Sequence, residues 1–142
     1  MLRWPLLGEE IEGVWNVSLT REFDMTNDSG LFKTKPGVGR LPLYEGKVFH
    51  QFTVQHGEPK YWLEEKEARK ALMSARMASI RRLFKEFKRD DIVSEKDVRL
   101  DYETYRIAFR DVAASTNERT MIATVLPPRV FCPHTVTLEK VF

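Results

Sequence analysis

The strongest constraint on this chain is a single apolar stripe. Met73, Met77, Ile80, Phe84 and Phe87 recur at spacings of four, three, four and three, which keeps them on one side of an α-helix. The spacing predicts a helix from Leu63 to about Arg89, with Leu72 and Leu83 widening the stripe on one flank. Arg81, Arg82, Lys85, Lys88 and Arg89 fall on the other flank and the back, so the helix packs by one side and shows a basic side outward. Methionine within the stripe reads as core filling, because its flexible thioether fits irregular gaps.

Such a helix needs an apolar surface to pack on, and the rest of the sequence supplies strands. Residues 14–19 alternate, with Trp15, Val17 and Leu19 on one face and Asn16 and Ser18 on the other, which predicts a half-buried strand. Residues 26–30 are turn formers, and residues 34–42, with Pro36, Gly37, Gly39 and Pro42, read as a loop. A second strand is expected over 48–54, closed by the turn at Gly57-Glu58-Pro59. Over 100–109, Tyr105, Ile107 and Phe109 alternate with Tyr102, Thr104 and Ala108 as in a strand, whereas Ser94 with Asp97 would cap a helix. Residues 121–126 form a clearer strand ended by Pro127-Pro128, with 114–120 as the connection before it, and a last strand runs from Thr135 to Leu138. The expected class is α+β, a mostly antiparallel sheet with one long amphipathic helix. At 142 residues, positions 1–142 make one domain with a real core.

Composition excludes several classes. Charged residues at 31% and hydrophobic residues at 42% argue against wholesale disorder and fibrous repeats. No run has the roughly 18 apolar residues of a membrane span, and the first ten residues are too short and proline-broken for a signal peptide. The single Cys132 forms no internal disulfide, and no Cys/His set has zinc spacing, so the cytoplasm is the expected compartment. Net charge is only +2, but it is polarised: residues 1–32 carry −4 and residues 76–89 carry +5. That polarity suits either a solvated helix face or a nucleic-acid face.

Candidate chemistry is sparse. There is no G-x-G-x-x-G and no G-x-S-x-G; Gly37-Val38-Gly39 sits between prolines and precedes no helix. Cys132 has His134 two residues away but no orienting third group, so it reads as an isolated thiol. Asp28 followed by Glu45-Gly46-Lys47 loosely matches the carboxylate-gap-carboxylate-x-lysine pattern of magnesium-dependent nucleases. Short triplets of this kind are frequent in so charged a chain.

Four blocks stand in order along the chain. They are residues 23–32 (Phe23-Asp24-Met25-Thr26-Asn27-Asp28-Ser29-Gly30-Leu31-Phe32), residues 41–52 (beginning Leu41-Pro42-Leu43-Tyr44-Glu45-Gly46-Lys47), Tyr61-Trp62-Leu63, and Phe109-Arg110-Asp111-Val112-Ala113 running on to Val125-Leu126-Pro127-Pro128. Together they resemble large adenine-specific DNA methyltransferases of type II restriction-modification and phage-defence systems, in the segment that follows the catalytic domain and opens the target-recognition region. The resemblance spans roughly residues 15 to 138 and skips the basic helix. The methyl-donor motif and the Asn/Asp-Pro-Pro-Tyr catalytic motif of that family are absent; Pro127-Pro128 is preceded by Leu126 and followed by Arg129.

The resemblance implies a non-catalytic DNA-binding or specificity segment, an excised domain or truncated relative that holds no cofactor. Its implied partners are double-stranded DNA and the catalytic domain of a parent methyltransferase. A structural or docking domain of the same enzymes, without direct DNA contact, is the alternative. In a recognition region Lys47, His50 and Gln51 are positioned for phosphate or a base edge, while Tyr44, Val48 and Phe52 fit a core. Arg119 suits either a phosphate or an ion pair with Asp111 across the hairpin. Asp24, Asn27 and Asp28 read as turn caps. Arg81, Arg82, Lys85 and Arg89 complete the expected DNA-binding set.

Overall fold

The computed structural model describes residues 9, 11–14, 16–55, 57–87 and 94–141. Among the described residues six strands and one long helix form the α+β architecture expected. Strands β1 (Leu19–Thr20), β4 (Arg106–Arg110), β5 (Ala123–Leu126) and β6 (Val136–Glu139) make one antiparallel sheet in the order β1-β6-β4-β5. Strands β2 (Arg40–Leu43) and β3 (Tyr61–Glu64) make an antiparallel pair, and α1 (Glu65–Glu86) follows β3 directly. Glu65 and Glu67 in the first turn of α1 and Lys85 in its last turn suit the helix dipole.

The extended segment 130–133 joins the two sheets. Phe131 accepts from Tyr44 N–H (2.7 Å) and donates to the Pro42 carbonyl (3.0 Å), while the Cys132 carbonyl accepts from Phe23 N–H (3.3 Å). Alternation of an extended chain sends its side chains to opposite sides. Phe131 enters one core with Phe23, Leu41, Leu43, Leu63, Met73 and Tyr102, lying edge-on to Phe23 at 5.4 Å. Val130 and Cys132 enter the other, with Val48, Phe49, Ala108, Leu126 and Leu138.

Several local expectations give way to tertiary contacts. The predicted strand over 14–19 shrinks to β1: Asn16 Oδ1 accepts from Ile11 N–H (3.0 Å) and draws the preceding chain into a turn, Val17 is buried, and Leu19 is exposed. Trp15 lies outside the described residues. The predicted loop over 34–42 ends early, because Arg40–Leu43 is β2 with Pro42 inside it. Proline is tolerated there because its cross-strand neighbour Trp62 exchanges both backbone hydrogen bonds with Lys33 on the far side (2.8 Å each). No ladder bond is lost.

The predicted strand over 48–54 is absent. Gly46–Val48 is a single 3-10 turn, and His50 and Thr53 close a tight turn with Phe52 at φ 59°. Gly57 then packs against the Lys47 carbonyl so closely that a Cβ would stand 2.9 Å from its oxygen. Leu63 belongs to β3, not to the helix, and is fully buried opposite Leu41. Along the stripe Met73 and Met77 are buried, Ile80 and Phe84 are half-buried, and Phe87 is exposed, so coverage fades along the last turns. Both readings of 94–109 hold in part. Ser94 Oγ accepts from Lys96 N–H in front of the short 3-10 turn Glu95–Asp97, and β4 begins at Arg106. The deeply buried face of β4 is Arg106 and Ala108, leaving Ile107 and Phe109 half-buried on the other.

Candidate nucleic-acid interface

The expected DNA-binding residues fall into two groups on different parts of the fold. Arg81, Arg82 and Lys85 are exposed on α1, which packs through the first core. Arg89 and Lys88 lie outside the described residues. Lys47, His50, Gln51 and Arg119 belong to the segments around β5 and the second core. Lys47 is 60% exposed and pairs with Glu45 at 3.2 Å.

Gln51 has a structural task. Its Oε1 accepts from Ala123 N–H at 2.9 Å, and the adjacent Phe52 N–H donates to the Ala123 carbonyl at 3.0 Å. Together they cap the outer edge of β5, where unpaired strand groups would otherwise face water. Arg119 is exposed in the connection leading to β5. The ion pair considered for it is made by another residue: Asp111 pairs with Arg21 at 2.7 Å and accepts from Thr137 Oγ1.

The acidic caps are confirmed in geometry. Asp24 Oδ1 accepts from Thr26 and Asn27 N–H, both at 2.8 Å, and Asp28 Oδ2 accepts from Asp24 N–H at 2.7 Å. The Asn27 and Thr26 amides hold the Asp24 carboxyl below its ordinary value. Asp28 and Glu45 thus serve separate local motifs, and no three Asp, Glu, His or Cys side chains gather as a metal site among the described residues. Cys132 is fully buried, and burial pushes its thiol far above the ordinary range, so the thiolate needed for nucleophilic work is suppressed. His134 is engaged elsewhere: its Nδ1 accepts from Met25 N–H at 3.1 Å.

No protein-family model, curated protein or solved structure matches the chain.

The charged residues with the tightest geometry carried no sequence signal. Arg106 is fully buried; its guanidinium meets Glu22 and donates to the Val130 carbonyl (2.5 Å), while Glu22 also accepts from Cys132 N–H (2.8 Å). Burial holds the Glu22 carboxyl above its ordinary value despite Arg106. Arg76 pairs with Asp101 at 2.6 Å under α1, and Arg110 donates to the Phe49 carbonyl while covering its ring at 5.6 Å. Near the start of α1, Glu65 receives both terminal nitrogens of Arg129 (3.2 and 2.9 Å) and Arg69 bridges Tyr102 and Glu103. The partner of each lies far away in sequence.

Beside that network, α1 walls a groove of about 570 Å³ whose other side is the Glu95–Asp97 turn. No described helix is long and apolar enough to cross a membrane.

Proposed function

We propose that this chain is a non-catalytic DNA-binding segment of the kind that follows the catalytic domain in adenine-specific DNA methyltransferases, working in the cytoplasm on double-stranded DNA beside that catalytic domain. The observation that carries the reading is the state of the cations on α1. Arg81, Arg82 and Lys85 are exposed, and among the described residues no carboxylate pairs with them. Long cations left without partners on a rigid helix are what a phosphate backbone engages. The blocks that carry the resemblance fit this reading as framework. Phe23, Leu41, Leu43 and Leu63 share one core, and Trp62 bonds Lys33 next to the first block.

The test is duplex binding by the purified chain as salt is raised. Counterion release makes the affinity of a phosphate-binding protein fall steeply with salt. Arg82→Glu with Lys85→Glu, folded by circular dichroism, is expected to weaken binding; unchanged affinity at low salt overturns the role of this flank.

A second reading has its own observation. The outer face of the four-stranded sheet shows Leu19 and Val125 exposed beside half-buried Ile107 and Phe109, with Phe52 and Met121 exposed near its β5 edge. Such a face suits a docking domain that covers the catalytic domain without touching DNA. Absence of duplex binding at any salt favours it.

A further inference from the structure

We propose that the groove beside α1 grips the sugar–phosphate backbone of one DNA strand without reading its sequence. This rests on the DNA-binding reading above and extends the contact from Arg82 and Lys85 along α1 into the groove beside them.

Lys66, Lys70 and Arg81 lie on one side of α1, since residues four, eleven and fifteen apart return to nearly the same angle. Lys96, on the Glu95–Asp97 turn, faces them across the groove, and Met73 and Met77 form the floor. From Lys66 to Arg81 the rail runs about 22 Å at 1.5 Å per residue. Neighbouring phosphates along one DNA backbone are roughly twice the 3.4 Å axial rise apart, so the rail faces about three of them. An extended polyanion matches that length; a single small anion would meet one cation at a time.

Charge and chemistry agree. Among the described residues none of Lys66, Lys70, Arg81 and Lys96 has a carboxylate partner, whereas Arg69 at the inner end is neutralised by Glu103. Glu95 is the one acidic residue in the lining. The methionine floor offers apolar contact to sugar carbons and no hydrogen-bond donor for a base edge. Moreover α1 contains neither Asn nor Gln, the side chains that read adenine bidentately. Three of the four unpaired lining cations are lysines, point charges suited to phosphate, so the groove positions DNA chiefly through its backbone.

The experiment is fluorescence anisotropy of the full chain with a labelled mixed-sequence duplex over a salt series, repeated with an unrelated duplex. Lys66→Gln with Lys70→Gln is expected to lower affinity about tenfold or more at low salt and to flatten the log K against log salt slope by about two contacts' worth, 0.9 each. Lys96→Gln, off the helix, is expected to flatten it by about one contact, and it keeps the test sound if the helix pair fails to fold. A control with the same loss of charge, Lys35→Gln with Lys140→Gln, is expected to leave the slope as in the wild type. If the wild type binds and the groove variants keep its slope, the groove is overturned while the DNA-binding reading stands. If the wild type binds no duplex at any salt, that reading falls and the groove falls with it. Strong preference for one duplex overturns the sequence-independent part.

Discussion

The guanidinium of Arg106 and the carboxylate of Glu22, 84 residues apart in sequence, meet inside the protein with neither side chain more than 5% exposed. The pair ties β4 to the second residue past β1, and through the Val130 carbonyl and the Cys132 amide it ties both to the segment joining the two cores. Removing one partner strands the other charge in a site closed to water, which typically costs about 3–5 kcal/mol. Arg106→Met or Glu22→Leu alone is expected to show that loss in urea unfolding. The double substitution is expected to lose less than the two single losses combined, because it strands no charge. An additive double variant would refute the coupling.

Phe52 holds a left-handed backbone (φ 59°) with its ring 81% exposed. That conformation costs a residue with a Cβ about 1–2 kcal/mol, and asparagine enters it more readily. Phe52→Asn is therefore expected to raise stability by up to about 1 kcal/mol, whereas Phe52→Val, β-branched, is expected to lower it. The comparison is of urea midpoints at equal m-value.

Cys132 is expected to resist alkylation by iodoacetamide in the folded chain at neutral pH and to react at once in strong denaturant. Burial both denies access and keeps the thiol protonated. Rapid labelling of the folded chain would contradict the closed packing around segment 130–133.

Asp24 gives a pH dependence of known sign. Its folded-state value is depressed by amide hydrogen bonds, so its stabilising share is complete above its unfolded value and is lost as pH falls through the folded one. The chain is expected to lose stability on acidification below about pH 4, and Asp24→Ala is expected to make that decline shallower. An identical acid limb in the variant would show that the cap contributes nothing there.

The methyltransferase resemblance carries a negative expectation of its own. Lacking both the donor-binding and the catalytic motif, the chain is expected to show no calorimetric binding of S-adenosylmethionine and no methyl transfer to DNA. Micromolar binding would overturn the non-catalytic reading.

Elements whose fate is decided locally were legible in the sequence. The stripe of Met73 and Met77 placed α1, and the run from Met121 to Leu126 ended by Pro127-Pro128 placed β5. Position 52 shows where legibility stops. Residues 48–54 have strand composition, but hydrogen bonds from Gln51 and Phe52 to Ala123 fold them into a turn, and nothing within the segment announces a partner 72 residues away. Pro42 misleads in the same way: it reads as a loop residue until Trp62 is seen to bond Lys33 instead. Within the candidate site, helical spacing found Arg81 and Lys85, but Lys66, Lys70 and Lys96 gained meaning only when the Glu95–Asp97 turn was set beside α1.

The position of segment 130–133 also bears on how the chain folds. Phe23, β2, β4 and the Glu22 carboxylate all complete their bonding on residues synthesised after most of the domain. Until that stretch leaves the ribosome, neither core can close, and the β5 and β4 hairpin stands with its β6 side unpaired. Contacts so distant in sequence make closure slow, because loop entropy is spent before they form. Closure of both cores is thus coupled to the arrival of one short stretch of chain.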